Sequence, residues 1–316
     1  MGDNVIATVI IPCFNEELSI GSVITKIKAL PLKTKIIVVD NGSTDKTASI
    51  ANNLGVIVLR EPKRGKGFAV RRALNNLPKE TNVVLMVDGD DTYEITEFLN
   101  AYTYIISEGY DLVIGKRVSL PNIYRQDNFR FGHEFGNKLL SYLFKFLFKV
   151  NVSDTLSGWR AMSIGFADSF AGGDSEFEIE AELNAHIFTI NASVKEIPVG
   201  YSGREMGSTS KLRTFRDGWA ILRRNFRLYK SERPLIAYSA LAIPWTIMSL
   251  VSMYVVIGGF LETGKVPRFP TLIAGVGSFI VAGNLWMTGM ILERVRLQRV
   301  AIARLAYLNA QKWARN

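Results

Sequence analysis

The stretch Lys35-Ile36-Ile37-Val38-Val39-Asp40-Asn41-Gly42-Ser43-Thr44-Asp45 passes from an apolar, β-branched run straight into turn residues. Such a run reads as a buried strand, and Asn, Gly, Ser, Thr and Asp as a turn that caps a helix. The helical pattern Thr44–Leu54 follows it. The same change recurs on either side. Val5–Ile11 leads into Pro12-Cys13-Phe14-Asn15-Glu16-Glu17, and Asn82–Asp88 leads into Gly89-Asp90-Asp91. Val56–Arg60 and Asp111–Gly115 are further apolar runs, while Glu17–Leu30, Gly67–Leu77 and Ile95–Glu108 carry helical patterns. Strands alternating with helices predict an α/β, Rossmann-like domain with a mostly parallel sheet and ligands at the carboxyl ends of its strands. Three polar turns at that one edge define a single composite site.

Asp88-Gly89-Asp90 gives the site a chemistry. Two carboxylates two positions apart can hold Mg²⁺ or Mn²⁺ against a diphosphate, because hard cations take oxygen ligands and keep places for phosphate. Taken singly, each motif also has a plainer reading. Asp40–Asp45 serves equally as a helix cap, Asp88–Asp91 as a solvated loop, and Gly65-Lys66-Gly67 as a glycine turn with no Walker sequence around it. Zinc is not expected, since Cys13, His133 and His186 are scattered. His186, within the helical pattern Glu178–Phe188, reads as structural, and Glu176, Glu178, Glu180 and Glu182 as either a solvated helix face or catalytic acids.

The C-terminal part has a different composition. Leu235–Phe260 and Phe269–Leu292 contain no charged residue or histidine, and each exceeds the roughly 20 residues that cross a hydrocarbon core as a helix. The loop Glu262–Arg268 between them is short, so they form an antiparallel hairpin. The chain carries 38 Lys+Arg against 29 Asp+Glu, a net charge of +9. That excess sits beside the apolar spans: the net is −3 through Ser210, +6 over Lys211–Arg233, +1 over Leu261–Arg268 and +5 after Leu292. A nucleic-acid-binding domain would carry the charge on its own surface, so nucleic acid is not an expected partner. Basic flanks on both sides of the hairpin put both ends in the cytoplasm by the positive-inside bias. Leu212, Phe215, Trp219, Leu222, Phe226 and Tyr229, with arginines between them, read as an amphipathic helix at headgroup level. Phe129–Val150 reads as an aromatic and aliphatic helix able to flank a greasy ligand. The expected division is a cytoplasmic domain over 1–210, a juxtamembrane helix over 211–233, two membrane helices within 234–292 and a basic tail over 293–316. The lone Cys13 excludes an internal disulfide, and an apolar content of 48% excludes disorder.

Val9-Ile10-Ile11-Pro12 with Asn15-Glu16-Glu17, Val39–Asp45, Gly65-Lys66-Gly67 and Asp88-Gly89-Asp90 resemble the family 2 glycosyltransferases of the GT-A fold. Gly115-Lys116-Arg117, Asp154–Arg160 and Arg204-x-x-Gly207-x-x-Ser210-Lys211-Leu212 resemble the dolichyl-phosphate mannose synthase branch, which includes polyprenyl-phosphate glycosyltransferases with two C-terminal membrane helices. The resemblance implies a membrane-bound, inverting transfer of a hexose from a nucleotide sugar to a polyprenyl phosphate at the cytoplasmic face, with Mg²⁺ or Mn²⁺ and a homo-oligomeric state. A UDP-sugar is preferred to GDP-mannose as donor. It implies that Pro12, Asn15, Glu16, Asp40, Lys66, Asp88 and Asp90 line the nucleotide-sugar pocket, and that Asp88, Asp90 and Asp91 are the metal-binding candidates. Arg117, Ser157 and Arg160 would hold the lipid phosphate, and Arg204 and Lys211 would reach the donor diphosphate. Asp90, Arg117 and Arg160 are the expected catalytic residues. Where many relatives carry a metal-binding Gln two positions after the second Asp, this chain has Thr92. A polysaccharide synthase and an inactive nucleotide-binding scaffold are the alternatives. Two spans are too few for a translocation pore, and the intact Asp88/Asp90 pair disfavours the scaffold.

Overall fold

A computed structural model of the chain describes residues 6–119, 152–170, 179–202 and 229–314. The expected helices over 129–150 and 211–229 lie wholly or almost wholly outside these residues, as do Arg204 and Lys211. Strands β1 (Ile6–Cys13), β2 (Thr34–Asp40), β3 (Ile57–Arg60), β4 (Thr81–Met86) and β5 (Leu112–Ser119) alternate with helices α1 (Ile20–Lys28), α2 (Thr47–Asn53), α3 (Lys66–Leu74) and α4 (Phe98–Ile106). Then come β6 (Arg160–Ser163), α5 (Ile164–Ser169), α6 (Ile179–Ile190) and β7 (Val194–Tyr201).

The seven strands form one sheet in the order β3-β2-β1-β4-β6-β5-β7. All neighbours are parallel except β6, which runs antiparallel between β4 and β5. Strand alternation sorts the core into two layers. Val9, Ile11, Ile36 and Val38 face one layer with α1 and α4, where Trp159 stacks on Phe98 at 4.5 Å between ring centroids. Ile10, Ile37 and Val39 face the other, with α3, α5 and α6.

Two long apolar helices follow, α7 (Pro234–Thr263) and α8 (Phe269–Ala314). Pro234 opens α7 at a position where its missing N–H is harmless, and Gly264, at φ +66°, closes it in the left-handed conformation. Both are long and apolar enough to cross a membrane. Gly275 lies against Ser252 and Met253, and Gly289 against Leu235 and Tyr238, so the helices run antiparallel with small residues at the contact. Ile243, Leu250 and Tyr254 on α7, and Ile273, Phe279 and Trp286 on α8, are exposed.

The chain divides into two compact units, Trp219–Ala301 and a larger one formed by Met1–Gly218 with Ile302–Asn316. The stretch expected as a basic tail is therefore the end of α8, helical to Ala314. Within the larger unit, Ala303 and Tyr307 pack on the α3, α5 and α6 layer. The Tyr307 hydroxyl donates to Asp111 Oδ1 at 2.8 Å, and Arg304 donates to the Ile190 carbonyl.

Candidate active site

The loops after β1, β2 and β3 are tied to one another by their own polar groups. Asn15, in the left-handed region at φ +55°, donates its N–H to Ser43 Oγ, and its Oδ1 accepts from the Thr44 N–H at 2.8 Å. The Glu16 N–H donates to Thr47 Oγ1. Asp40, nearly buried at the end of β2, accepts from the Ser43 N–H. Asn41 donates to the Glu61 and Lys63 carbonyls and accepts from the Gly65 N–H. Pro12, on β1, pairs in register with Val39. The turn chemistry read from the sequence is thus a shared framework that holds Asp40 and the Gly65-Lys66-Gly67 turn in place.

Lys66 is its electrostatic centre. Its Nζ lies 2.5 Å from Asp88 Oδ1 and 2.6 Å from Glu180 Oε1. Burial works against the lysine's charge, but the two carboxylates outweigh it and hold its pKa above the ordinary range. Burial raises the Asp88 pKa despite Lys66, whereas for Glu180 the lysine's charge and hydrogen bond overcome burial and the pKa is lowered. Glu180 and Glu182 are both 7% exposed, and Glu182 pairs with Arg71 at 2.9 Å. Of the two readings offered for these acids, the solvated helix face is corrected for this pair: α6 turns both carboxylates inward to meet cations on α3.

Asp90 Oδ1 accepts from the Thr92 N–H and from Thr92 Oγ1 at 2.7 Å. Thr92 is itself buried, so the residue standing where relatives carry Gln serves to fix Asp90. Asp91 is turned elsewhere. At φ +56° it directs its carboxylate to Lys26 Nζ and Ser22 Oγ on α1. No group of three or more His, Cys, Asp or Glu side chains is arranged to hold a metal ion among the described residues. A pair of hard carboxylate oxygens without an all-protein cage suits an ion that keeps positions for phosphate oxygens.

The basic residues separate into two kinds. Arg117, on β5, grips Asp154 with two donors, Nε to Oδ2 at 2.7 Å and Nη2 to Oδ1 at 2.8 Å, and lies over the Tyr201 ring. Its side chain is 28% exposed. Arg160 is fully buried. It donates to the Ser157, Thr155 and Glu180 carbonyls and, at 2.8 Å, to Asn184 Oδ1. Burial pushes its pKa down to about 10. Ser157 is likewise buried, and its hydroxyl accepts from the Trp159 N–H. The arginine's donors are directed to the backbone of the 155–157 turn and to α6.

Tyr93 and Asn184 belong to the site's support, beside Glu180, and neither is singled out by the sequence. The Tyr93 hydroxyl accepts from the Gly158 N–H at 3.1 Å, and its ring meets Tyr201 edge-on. Burial, with the Asp88 charge beside it, raises its pKa to about 12. Behind the carboxylates, Cys13 is buried, and burial with the surrounding acids raises its thiol pKa well above normal.

A mostly parallel sheet whose carboxyl edge carries Asp40, Asp88 and Asp90 is a GT-A-like arrangement. The Glycosyl transferase family 2 profile matches residues 8–167, and the chain belongs to that family. Glycosyltransferase AglJ of Haloferax volcanii is 31% identical over 251 residues, covering 78% of this chain and 80% of the relative. Dolichyl-phosphate hexose transferase of the same organism is 30% identical over 230 residues, covering 71% of this chain and 94% of the relative. Among solved structures, glucosyl-3-phosphoglycerate synthase from Mycobacterium tuberculosis, in complex with Mn²⁺, uridine-diphosphate and glucosyl-3-phosphoglycerate, superposes with a TM-score of 0.53. It is 22% identical, over 72% of this chain and 79% of that one, a likeness of fold.

Proposed function

We propose that this glycosyltransferase moves a hexose from a nucleotide sugar, a UDP-sugar in preference to GDP-mannose, to a polyprenyl phosphate at the cytoplasmic face of a membrane. The observation that carries this reading is the presence, in one chain, of an acidic GT-A site and two helices whose large apolar side chains are exposed along their length. Such surface does not remain in water. The relative named for a dolichyl-phosphate acceptor supports the same assignment.

In the proposed mechanism Asp40 and the loop framework of Asn15 and Glu16 receive the nucleotide. Asp88 and Asp90 would hold the Mg²⁺ or Mn²⁺, which when bound offsets charge on the departing diphosphate. Lys66, already between two carboxylates, orients Asp88. A polyprenyl phosphate is an anion whose oxygen attacks the anomeric carbon without a protein base, and one in-line displacement inverts that centre. Arg117 is assigned to the acceptor phosphate, because its guanidinium stays part-exposed and cationic while Asp154 holds it in place. Arg160 is a positioning residue, acting through the 155–157 turn. Arg204 and Lys211 retain the donor-diphosphate role by motif.

The test is transfer of radiolabelled sugar from a panel of nucleotide sugars into an organic-extractable lipid by membranes containing the protein. A labelled, polyprenyl-phosphate-dependent lipid is expected. A polymer product, or none with any donor, overturns the proposal.

A further inference from the structure

Within the smaller unit, the residues leading into α7 and the middle of α8 line an open cavity of about 370 Å³, in which Lys230, Ser231 and Pro234 face Val295, Arg296 and Arg299. Two of its three cations are already compensated. Arg299 pairs with the buried Glu232, and Arg296 with Glu293 at 2.6 Å. No described carboxylate pairs with Lys230, whose Nζ instead lies 4.7 Å from the centroid of the Tyr238 ring. The positive end of the α7 dipole adds to this field, since Pro234 is the first residue of that helix. Val295 and Leu292 supply an apolar wall beside the charges.

We propose that this cavity seats the headgroup of a bilayer glycerophospholipid with a single negative charge, a phosphatidylglycerol-type lipid, distinct from the acceptor. Charge selects the occupant. A phosphodiester brings one negative charge, which one uncompensated lysine matches, whereas a phosphomonoester brings about −1.5 to −2. Ser231 offers a hydroxyl donor, the long basic side chains reach the phosphate along apolar stems, and basic pockets between membrane helices bind anionic headgroups. The proposal rests on the membrane reading given above.

Native mass spectrometry of the full chain in neutral detergent, titrated with phosphatidylglycerol, phosphatidylcholine or undecaprenyl phosphate, tests it. One phosphatidylglycerol per protomer is expected, held at least tenfold tighter than phosphatidylcholine. Lys230→Gln should remove that preference and Lys230→Arg should keep it. Equal retention of the two phospholipids, an unaffected Lys230→Gln variant, or stoichiometric displacement of phosphatidylglycerol by undecaprenyl phosphate overturns the proposal. Flotation with phosphatidylcholine vesicles separates the two failures. A protein that floats but shows no headgroup preference refutes the cavity alone, and one that stays soluble without detergent refutes the membrane reading as well.

Discussion

Gly158 has no room for a side chain, because a Cβ there would fall on the Asp88 carboxylate. Gly158→Ala should therefore push Asp88 out of register and weaken nucleotide-sugar binding about tenfold or more, at the 1–3 kcal/mol typical of overpacking. Calorimetry with UDP measures it, and unchanged affinity would place Asp88 outside the pocket. Asp90→Asn keeps the shape and removes a ligand charge, so it should abolish most turnover and the divalent-ion dependence of nucleotide binding. Full activity in EDTA would refute that role. The two arginines should part company. Arg117→Ala should raise the KM for polyprenyl phosphate ten- to a hundredfold, about 1.5–3 kcal/mol, with nucleotide affinity kept. Arg160→Ala should instead cost about 3 kcal/mol of stability, since it strands buried carbonyls and Asn184, and should weaken both substrates together. The motif Gly158-Trp159-Arg160 marks an arginine as important. It does not reveal whether the guanidinium meets a ligand or the protein's own backbone, because that depends on Asn184 and Glu180, which arrive on α6.

At the scale of elements, the first five strands and four helices were legible because apolar runs and turn residues alternate in register with them. β6 was not. It is four residues long and begins with Arg160, so it offers no apolar run, and the pairing with β4 and β5 alone makes it a strand. β7 carries Pro198 and sits at the sheet edge, where a missing donor is tolerated. The packing of α5 on α6 yields a pH prediction. His186 is held between the edges of Phe166 and Phe170, with Nε2 at 2.8 Å from Ser169 Oγ. Burial lowers its pKa from 6.5 to about 4. A depressed folded-state pKa means that the unfolded chain takes up the proton first. The contribution is complete above pH 6.5 and is lost as pH falls toward 4, to a total of about 3 kcal/mol. Denaturant midpoints at pH 7 and pH 5 should therefore diverge more for the wild type than for His186→Gln. Equal divergence would show that other groups dominate.

For the whole molecule, the charge-free spans were visible because bilayer-length helices without charge are rare elsewhere. Their true ends were not, since α8 continues into residues whose polar composition reads as tail. The proposed topology predicts that a cysteine placed in the Glu262–Arg268 loop is labelled by an impermeant maleimide from outside intact cells. Labelling of a cysteine introduced near Leu18, which is exposed at the N-terminal domain's surface, should require permeabilisation. The reverse pattern would invert the orientation. Order of synthesis adds a constraint of its own. Asp111 meets Tyr307 across 196 positions of sequence, and both apolar helices are translated between them. The sugar-transferring unit therefore emerges from the ribosome with one of its clasps missing and acquires it only after the hairpin has been made. That clasp can close only once both apolar helices have been synthesised.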